Sequence, residues 1–399
     1  MPLTIWAVVA AAAASISLAL GVRQTFGLFL LPLATEQGLS PAVLGTAVAV
    51  HNLVWGLSQP VSGALADRYG AGRVMAGSAL LLAAGLALPA LVPGVASILF
   101  GIGILTGLGV SGTGTGAALA AVGRAVPPER RGEMIGLASA GGSLGQAALV
   151  PVAQGLIGGF GAVATLGILA LSMLLIVPIA RTVEWRAPTP GGGPAPTGLA
   201  GLPALARMAL RQRDYALLTA GFFACGFQLA FLTMHLPSYI SLCGLPVGLG
   251  AMALMTIGLF NIPGSWLCGR VSNHMRPEAA LGWIYMLRSV AIACFVLAPP
   301  SYAGTLVFAA VMGFVWLGTI PLTSAAISRR FGVADLGALY GVCFLSHQLG
   351  GFLGAGAGAV LLETAGSYDL FWPVMIAVGV AASAANWMAR PPPPARAFA

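Results

Sequence analysis

Lysine is absent from this sequence, and charged residues of any kind are scarce. All 18 basic residues are arginines, and Asp, Glu, Lys and Arg together make up only 7% of the 399 residues. A soluble domain of ordinary composition carries about 25% charged residues. With 58% hydrophobic residues and a mean hydropathy of +0.94, the chain has too little polar surface to cover a globule in water. The composition therefore excludes an ordinary soluble domain and indicates that lipid is the main solvent.

Other absences narrow the class further. The cysteines are scattered and form no C-x-x-C pair, so neither a disulfide framework nor a metal site is expected. Strand-like alternation of polar and apolar residues is also missing, which argues against an outer-membrane barrel. The glycine-rich run 107–116 lies in an apolar helix without a following lysine, so nucleotide binding is rejected. Since no catalytic constellation or cofactor motif stands out, we expect neither an enzyme nor a bound cofactor.

Twelve apolar segments are long enough to cross a bilayer, for which roughly 20 residues are needed. The only long polar segment rich in Pro and Gly is 182–214, and it is predicted to be a cytoplasmic linker. It separates an N-terminal six-helix bundle, 1–181, from a C-terminal six-helix bundle, 215–399. The predicted spans are 5–31, 42–66, 74–92, 96–123, 132–158, 161–181, 215–240, 248–270, 279–298, 302–325, 336–362 and 369–389.

The arginines indicate which span ends share a side of the membrane. Sixteen of the 18 follow even-numbered spans or lie in the C-terminal tail, and the connections after odd-numbered spans carry none. Because cytoplasmic loops are enriched in basic residues, this alternation places both termini and the linker in the cytoplasm. We therefore expect a multi-pass protein of the inner or plasma membrane. The placement also argues against nucleic acid as a partner, which the net charge of +8 would otherwise suggest.

The two halves look duplicated. Gly38 and Gly63 align with Gly244 and Gly269 at an offset of 206, and several positions in 124–145 align with 329–350 at an offset of 205. Internal repeats around a central site are a recurring plan of membrane transporters. Together with the alternating arginines, the repeat favours two related half-bundles.

Three stretches resemble known motifs. The loop Gly63-Ala-Leu-Ala-Asp-Arg-Tyr-Gly-Ala-Gly-Arg73 resembles the signature loop of the major facilitator superfamily, and 130–145 and 365–369 are similar to motifs of its monocarboxylate porter family. The resemblance implies an all-α membrane protein with twelve transmembrane helices in two pseudo-symmetric six-helix bundles. It implies a proton-linked porter for small organic acids, whose spans 1, 4, 7 and 10 line a central cavity. It also implies that Asp67 and Arg68 act in a conformational latch.

Two departures limit what the resemblance carries. The Asp/Arg pair that animal members of the family have late in span 8 is absent, and Asn261-Ile-Pro-Gly-Ser265 lies in that region. The acidic, aromatic-rich motif that the family has near the start of span 1 is missing from Met1-Pro-Leu-Thr-Ile-Trp6, so the family's substrate residues are not transferred. Candidate residues must therefore come from the chain itself.

Only two basic side chains, Arg23 and Arg288, fall inside predicted spans, and no Asp or Glu lies at mid-membrane depth. Arg presents a planar fork that matches a carboxylate, and His can exchange a proton near neutral pH. Arg23 lies about ten residues, roughly 15 Å, from the outer end of span 1. An interior with fixed positive charge, titratable imidazole and no carboxylate suits an anion better than a cation.

The candidate substrate-binding residues share a polar side chain on a predicted span. We expect His51 and His347 also to carry the proton. For each residue a structural role stays open: a hydrogen bond between helices for Arg23, a buried structural arginine for Arg288, and a core imidazole for each histidine. The candidates are Arg23, His51, Asn52, Thr113, Gln228, His235, Asn261, Arg288 and His347.

The sequence thus predicts a secondary active transporter that moves a small organic anion, most simply a monocarboxylate, by alternating access with proton coupling. We expect a monomer whose partners are the substrate, protons and the lipid bilayer. A proton-driven exporter of drugs or other xenobiotics is the alternative, although such carriers usually rely on a membrane carboxylate. A membrane receptor that binds a ligand without moving it is a third hypothesis.

Overall fold

The computed structural model describes residues 3–127, 131–183, 201–271, 274–331 and 336–390. Within these ranges the chain forms helices and no strands, and twelve spans are long and apolar enough to cross a membrane. The predicted fold class, an all-α membrane protein with twelve spans in two six-helix bundles, is confirmed. A short helix, Leu202–Leu210, lies within the predicted linker just before span 7.

The helix bounds define the spans used below. In the first half, span 1 is Leu3–Arg23, Phe26–Phe29 and Leu30–Gln37; span 2 is Pro41–Tyr69; span 3 is Ala71–Leu91; span 4 is Val95–Ile98, Leu99–Leu105, Thr106–Thr113 and Thr115–Ala125; span 5 is Arg131–Phe160; span 6 is Ala162–Met173 and Ile176–Ala180. In the second half, span 7 is Arg213–Leu242; span 8 is Val247–Val271; span 9 is Pro277–Leu297; span 10 is Tyr302–Phe314 and Thr319–Phe331; span 11 is Leu336–Ala365; span 12 is Phe371–Met388.

Besides span 6, which is open between Met173 and Ile176, three spans that the sequence predicts as continuous are interrupted. Span 1 leaves the α-helix after Arg23 and continues through a 3₁₀ turn, Phe26–Phe29. Span 4 has a π-helical stretch, Leu99–Leu105, and then breaks at Gly114. Span 10 is open between Phe314 and Thr319. Inside a membrane, free backbone groups must be satisfied by neighbouring side chains or face a cavity, so such breaks point to the functional centre.

The halves pack together through spans 2 and 11, spans 5 and 8, and the 3₁₀ turn of span 1 against span 7. Large apolar side chains on the periphery are exposed, as with Leu91 at 78% and Leu297 at 85%. Such a surface would be unfavourable in water but suits contact with lipid tails. The polar residues described below lie in the interior, some of them between the halves and others within one half, away from that surface.

Connections 38–40, 243–246 and 366–370 lie at the end of the bundle opposite the termini, called here the distal end. Gly38 ends span 1 with a left-handed backbone, φ 64°, and Ser40 caps span 2 by accepting a hydrogen bond of 3.1 Å from Ala42 N. The Glu36 carboxylate accepts hydrogen bonds from the first backbone amides of span 6, at 2.6 Å from Ala162 N. A negative charge at a helix N-terminus is favourable, so Glu36 acts as a structural cap.

Candidate functional site

Arg23 ends the first helix of span 1, at the point where the span is interrupted. Its Nη2 donates a hydrogen bond of 2.8 Å to Asn52 Oδ1, and its Nη1 lies 3.4 Å from Gln24 Oε1. The guanidinium also lies 5.0 Å from the ring centroid of Trp55. Its Nε is buried and has no hydrogen-bond partner among the described residues. Amides therefore orient this cation without neutralising it, and one donor is left over.

Asn52 links Arg23 to the other half of the molecule. While its Oδ1 accepts the hydrogen bond from Arg23, its Nδ2 donates to the Gly351 carbonyl oxygen in span 11 at 3.3 Å. A Cβ at Gly351 would lie 3.2 Å from Asn52 Cγ, so a larger residue there would press on the amide. The structure thus brings two predicted residues, Arg23 and Asn52, together at the boundary between the halves.

A second polar chain crosses between the halves through spans 5 and 8. Gln24 Nε2 donates to Gln146 Oε1 at 2.9 Å, and Gln146 Nε2 donates to the Leu254 carbonyl oxygen at 2.9 Å. One turn away, Asn261 Nδ2 donates to Ser143 Oγ at 2.7 Å. The sequence singled out Asn261, but Gln146 and Ser143 were missed. Their polarity within span 5 was the only signal, and it does not say which face of the helix they occupy.

His51 lies fully buried one residue before Asn52. Its Nδ1 lies 2.8 Å from Thr106 Oγ1, whose hydroxyl donates to the Ile102 carbonyl oxygen. The hydroxyl proton is thereby used, so Nδ1 is the donor to Thr106 and the ring is the Nδ1–H tautomer. Its Nε2 is then an acceptor, buried and without a partner among the described residues. The ring packs edge-on against Phe26, at 5.7 Å between centroids.

His347 stands on the opposite half, in span 11. Its Nδ1 lies 3.0 Å from Gln348 Oε1, and its ring stacks on Phe344 at 5.7 Å with 6° between the planes. Phe344 in turn contacts Trp55 of span 2 at 5.3 Å between ring centroids. Since the Arg23 guanidinium lies over Trp55, the rings of Trp55, Phe344 and His347 form a row that links Arg23 to His347. Both Arg23 and His347 are half-buried, in contrast to the fully buried His51.

Gln348 was missed by the sequence analysis as a candidate. It is fully buried, and its Nε2 has no hydrogen-bond partner among the described residues. The side chain faces span 2, since a Cβ at Gly56 would lie 2.8 Å from Gln348 Cβ. A second unsatisfied donor therefore lies near the same boundary as Arg23 Nε, contributed by the other half.

Arg288 is fully buried and holds the break in span 10. Its Nε and Nη2 donate to the Val315 carbonyl oxygen at 3.2 and 2.6 Å, and Nη2 also donates to the Trp316 carbonyl oxygen. From the other side, Asn261 Oδ1 accepts a hydrogen bond of 3.0 Å from Leu317 N. The side chains of spans 8 and 9 thus satisfy the backbone groups that the break releases. In this conformation Arg288 is engaged by backbone and is not adjacent to Arg23.

His235 is satisfied on both ring nitrogens. Its Nε2 donates to the Ala355 carbonyl oxygen at 2.9 Å, so its Nδ1 accepts from the Tyr368 hydroxyl at 3.0 Å. Burial raises the pKa of Tyr368 above its ordinary value, so the phenol keeps the proton that it donates. The structure places this imidazole in a complete hydrogen-bonding arrangement between spans 7 and 11.

The remaining predicted residues lie apart from Arg23. Thr113 Oγ1 donates to the Gly109 carbonyl oxygen within span 4 at 2.7 Å, and Gln228 Nε2 donates to the Met375 carbonyl oxygen at 3.1 Å. Gln228 Oε1 is buried without a partner in the described part of the chain. The side chains of Asp67 and Arg68, predicted to form the latch, lie outside the described residues.

The distal end of the bundle is closed over Arg23. Gly27, in the 3₁₀ turn, lies directly against the backbone of span 7: a Cβ there would overlap the Thr233 carbonyl oxygen and lie 2.8 Å from that of Met234. Further out, Ser40 Oγ donates to Glu363 Oε1 at 2.7 Å across the two halves. Beneath the closure is a cavity of about 10 Å³, roughly the space of one water molecule. It is lined by Arg23, Phe26, Gly27, Val48, Asn52, Ala230, Thr233 and Met234.

Gly27→Val is expected to prevent this closure. Forcing extra methyl groups into a packed contact typically costs about 1–3 kcal/mol, which shifts a two-state equilibrium roughly 5- to 150-fold. Spin labels on cysteines introduced at positions 40 and 363 should move apart in the variant. Gly155→Val is the matched control, because a Cβ at Gly155 meets nothing within 4 Å. Equal label distances in the Gly27 variant and its parent would contradict the closure role.

Comparisons with known proteins agree with this architecture. The family model described as Major Facilitator Superfamily matches residues 9–355, which is most of the chain. A crystal structure of a bacterial homolog of the human lysosomal transporter Spinster, in an inward-facing and unoccupied conformation, has a TM-score of 0.71 with 14% identity, and the match covers 97% of this chain and 95% of that one. At this identity the likeness concerns the fold.

Several curated relatives have names that mention a substrate, among them the probable nitrate/nitrite transporter NarK2 of Mycobacterium tuberculosis, which is 29% identical over 336 residues, covering 80% of this chain and 80% of the relative. The oxalate:formate antiporter of Oxalobacter formigenes is 26% identical over 353 residues, covering 87% of this chain and 82% of the relative. Monocarboxylate transporter 13 of Rattus norvegicus is 24% identical over 368 residues, covering 91% of this chain and 83% of the relative. All three matches run through most of the two sequences compared.

Proposed function

The chain belongs to the Major Facilitator Superfamily and is therefore a secondary transporter, and we propose that its substrate is a small organic anion, most simply a monocarboxylate, moved together with protons. The observation that supports this best is Arg23. It is a cation at an interrupted span, held by two amides, with a buried Nε that no described residue accepts from. A carboxylate would supply both the missing acceptor and the missing charge.

The second half offers a complementary donor. Gln348 Nε2 is buried without a partner and faces span 2, the helix that carries Asn52. An anion between Arg23 and Gln348 would contact both halves at once. Because a ligand shifts an equilibrium only through its different affinity for the two states, a substrate that bridges the halves favours their closure around it. The site would thereby couple binding to alternating access.

His51 and His347 are the proposed proton carriers. His51 Nε2 is a buried acceptor without a partner among the described residues, and His347 is half-buried beside the same boundary. Imidazole can gain or lose a proton between about pH 5 and 8. The relatives named for oxalate, formate and monocarboxylates support an anionic substrate.

The proposed orientation follows from the arginines. Sixteen of the 18 cluster after even-numbered spans or in the tail, the pattern of cytoplasmic loops. On that basis both termini face the cytoplasm of the cell membrane, and the closed distal end faces outward.

Transport by purified protein in liposomes tests the function. Radiolabelled formate, acetate, L-lactate and oxalate are offered with an acidic exterior, and liposomes without protein correct for passive entry of the free acids. We expect protein-dependent accumulation of at least one monocarboxylate, abolished by a protonophore. Exchange that needs internal anion but no pH gradient would instead favour antiport, the activity in the name of the Oxalobacter relative. Export of lipophilic cations without movement of acids would overturn the proposal.

A further inference from the structure

Cys225 lies near the middle of span 7 and is fully buried. Two hydrogen-bonding groups from two other spans contact its sulfur. Arg288 Nη1 donates to Sγ at 3.4 Å, and Thr319 Oγ1 lies 3.3 Å away, at the start of the second helix of span 10. The His347 ring contacts Phe222, one turn before Cys225 on span 7, at 4.9 Å between ring centroids. A guanidinium and a hydroxyl that contact one sulfur can stabilise a thiolate, and an imidazole one turn away can exchange a proton.

Arg288 needs a counter-charge that no carboxylate supplies. Its guanidinium is fully buried in the described part of the chain, where an unpaired cation is costly. All ten acidic residues of the sequence lie near span ends or in connections: Glu36, Asp67, Glu129, Glu133, Glu184, Asp214, Glu278, Asp335, Glu363 and Asp369. A thiolate at Cys225 would provide the negative charge at mid-span.

The other titratable groups that face Cys225 are two tyrosines and a cysteine. Tyr285 of span 9 lies under the Arg288 guanidinium, at 5.6 Å from its ring centroid, and Tyr340 and Cys343 approach from span 11. The Cys343 sulfur contacts Thr219 Oγ1 at 3.2 Å and does not share the Arg288 contact. Arg288 is therefore the group with a permanent charge at this cluster, and Cys225 is the thiol that contacts it directly.

We propose that Cys225 and His347 form the proton-binding pair of the carrier, with Cys225 a thiolate counter-ion of Arg288 when no proton is bound. On loading, a proton adds to the free ring nitrogen of half-buried His347 and passes to Sγ, where it forms an S–H bond. On release the S–H bond breaks, and the proton leaves through the same imidazole. No electron is exchanged, and the imidazole is neutral before and after each step.

This assignment rests on the proposed function and explains how proton binding would be coupled to anion binding. With neither ligand bound, Arg23 contributes one positive charge, and Arg288 with the Cys225 thiolate contributes none. With proton and anion both bound, the anion neutralises Arg23, while Arg288 faces a neutral thiol. The buried charge is therefore the same in the empty and the fully loaded carrier. Binding the proton alone or the anion alone changes this buried charge. The bound proton therefore favours binding of the anion, and by linkage the bound anion favours binding of the proton to the same extent.

Cys225→Ser separates proton coupling from anion binding. The serine hydroxyl can keep the contacts with Arg288 and Thr319, but it does not ionise in the physiological range. With radiolabelled formate and L-lactate as probes, we expect exchange at equal pH to stay within about 3-fold of the parent. Accumulation driven by a pH gradient should fall at least about 10-fold, and Cys225→Asp should restore part of it. Cys343→Ser, a matched buried control outside the Arg288 contact, should leave both measurements unchanged.

A second measurement does not depend on transport. In a variant that keeps Cys225 and has serine at the other four cysteines, 243, 268, 294 and 343, the S–H stretching band in the infrared reports on one sulfur. We expect the band to be absent at about pH 9 and to appear as the pH is lowered to about 5. Arg288→Met should make the band present throughout, because the thiolate loses its counter-ion.

The outcomes distinguish failure of the Cys225 assignment from failure of the proposed transport function. The assignment would be overturned if Cys225→Ser accumulated substrate under a pH gradient as well as the parent does. It would also be overturned by an S–H band present at every pH in the single-cysteine protein. Neither result would contradict substrate binding at Arg23. A parent protein that moves neither formate nor lactate contradicts the proposed function. In that case the infrared titration alone decides whether Cys225 holds an exchangeable proton.

Discussion

Arg23→Ala is expected to lower the transport of monocarboxylates by roughly 30-fold or more. Removing one partner of a buried, hydrogen-bonded charge pair typically costs about 2–5 kcal/mol, and each 1.4 kcal/mol is a factor of ten. The substrate carboxylate would lose the paired N–H donors of the Arg23 guanidinium in the interior of the bundle. Arg23→Lys should recover part of the rate, because it keeps the charge but not the planar geometry. Initial rates of uptake over a range of substrate concentrations measure both effects.

The same residue could instead serve only to hold spans 1 and 2 together through Asn52. Thermal unfolding distinguishes the two roles. If Arg23 binds substrate, the unliganded variant should unfold within a few degrees of the parent but lose the stabilisation that substrate gives, because a ligand stabilises only the state it binds. If Arg23 is structural, the unliganded variant should unfold at a clearly lower temperature and still respond to substrate. Arg211→Ala, at an exposed arginine, is the control for loss of a positive charge.

Much of the architecture was predictable because it depends on long, redundant patterns. Each span requires about twenty apolar residues, and one misplaced span would have disturbed the alternation of the arginines. The same accounting left Arg23 and Arg288 as the two arginines that orientation does not explain. Their positions within spans were therefore visible in the sequence, and so was Asn52 as a candidate polar residue of span 2, which the structure places in contact with Arg23.

The roles of the two arginines were not predictable in the same way. The guanidinium of Arg288 is turned toward span 10 because that span opens after Phe314 and presents the carbonyl oxygens of Val315 and Trp316. The apolar run around these residues gives no sign that the helix of span 10 is interrupted, since hydropathy does not depend on backbone hydrogen bonding. Gln146, Gln348 and Cys225 were likewise missed, because a single sequence does not show which face of a helix turns toward the other half.

Arg288→Met is expected to destabilise the second half and stop transport. The variant removes the donors to the Val315 and Trp316 carbonyl oxygens. Each buried acceptor left unsatisfied costs about 1–3 kcal/mol, so the loss is roughly 2–6 kcal/mol for the two. The midpoint of thermal unfolding in detergent should fall by several degrees. Arg288→Lys should recover less than half of the difference, since one ammonium reaches both carbonyls poorly.

Arg270→Met is the matched control, because Arg270 is exposed and lies over Trp266 at 5.0 Å. The comparison also decides between two roles for Arg288. A variant that unfolds at the parent temperature but no longer responds to substrate would show that Arg288 binds the anion, as the sequence allowed. A variant that unfolds earlier yet keeps its response to substrate would show that the guanidinium supports the span 10 break. The contacts favour the second outcome, since a side chain already bonded to two backbone carbonyls has few donors left for a carboxylate.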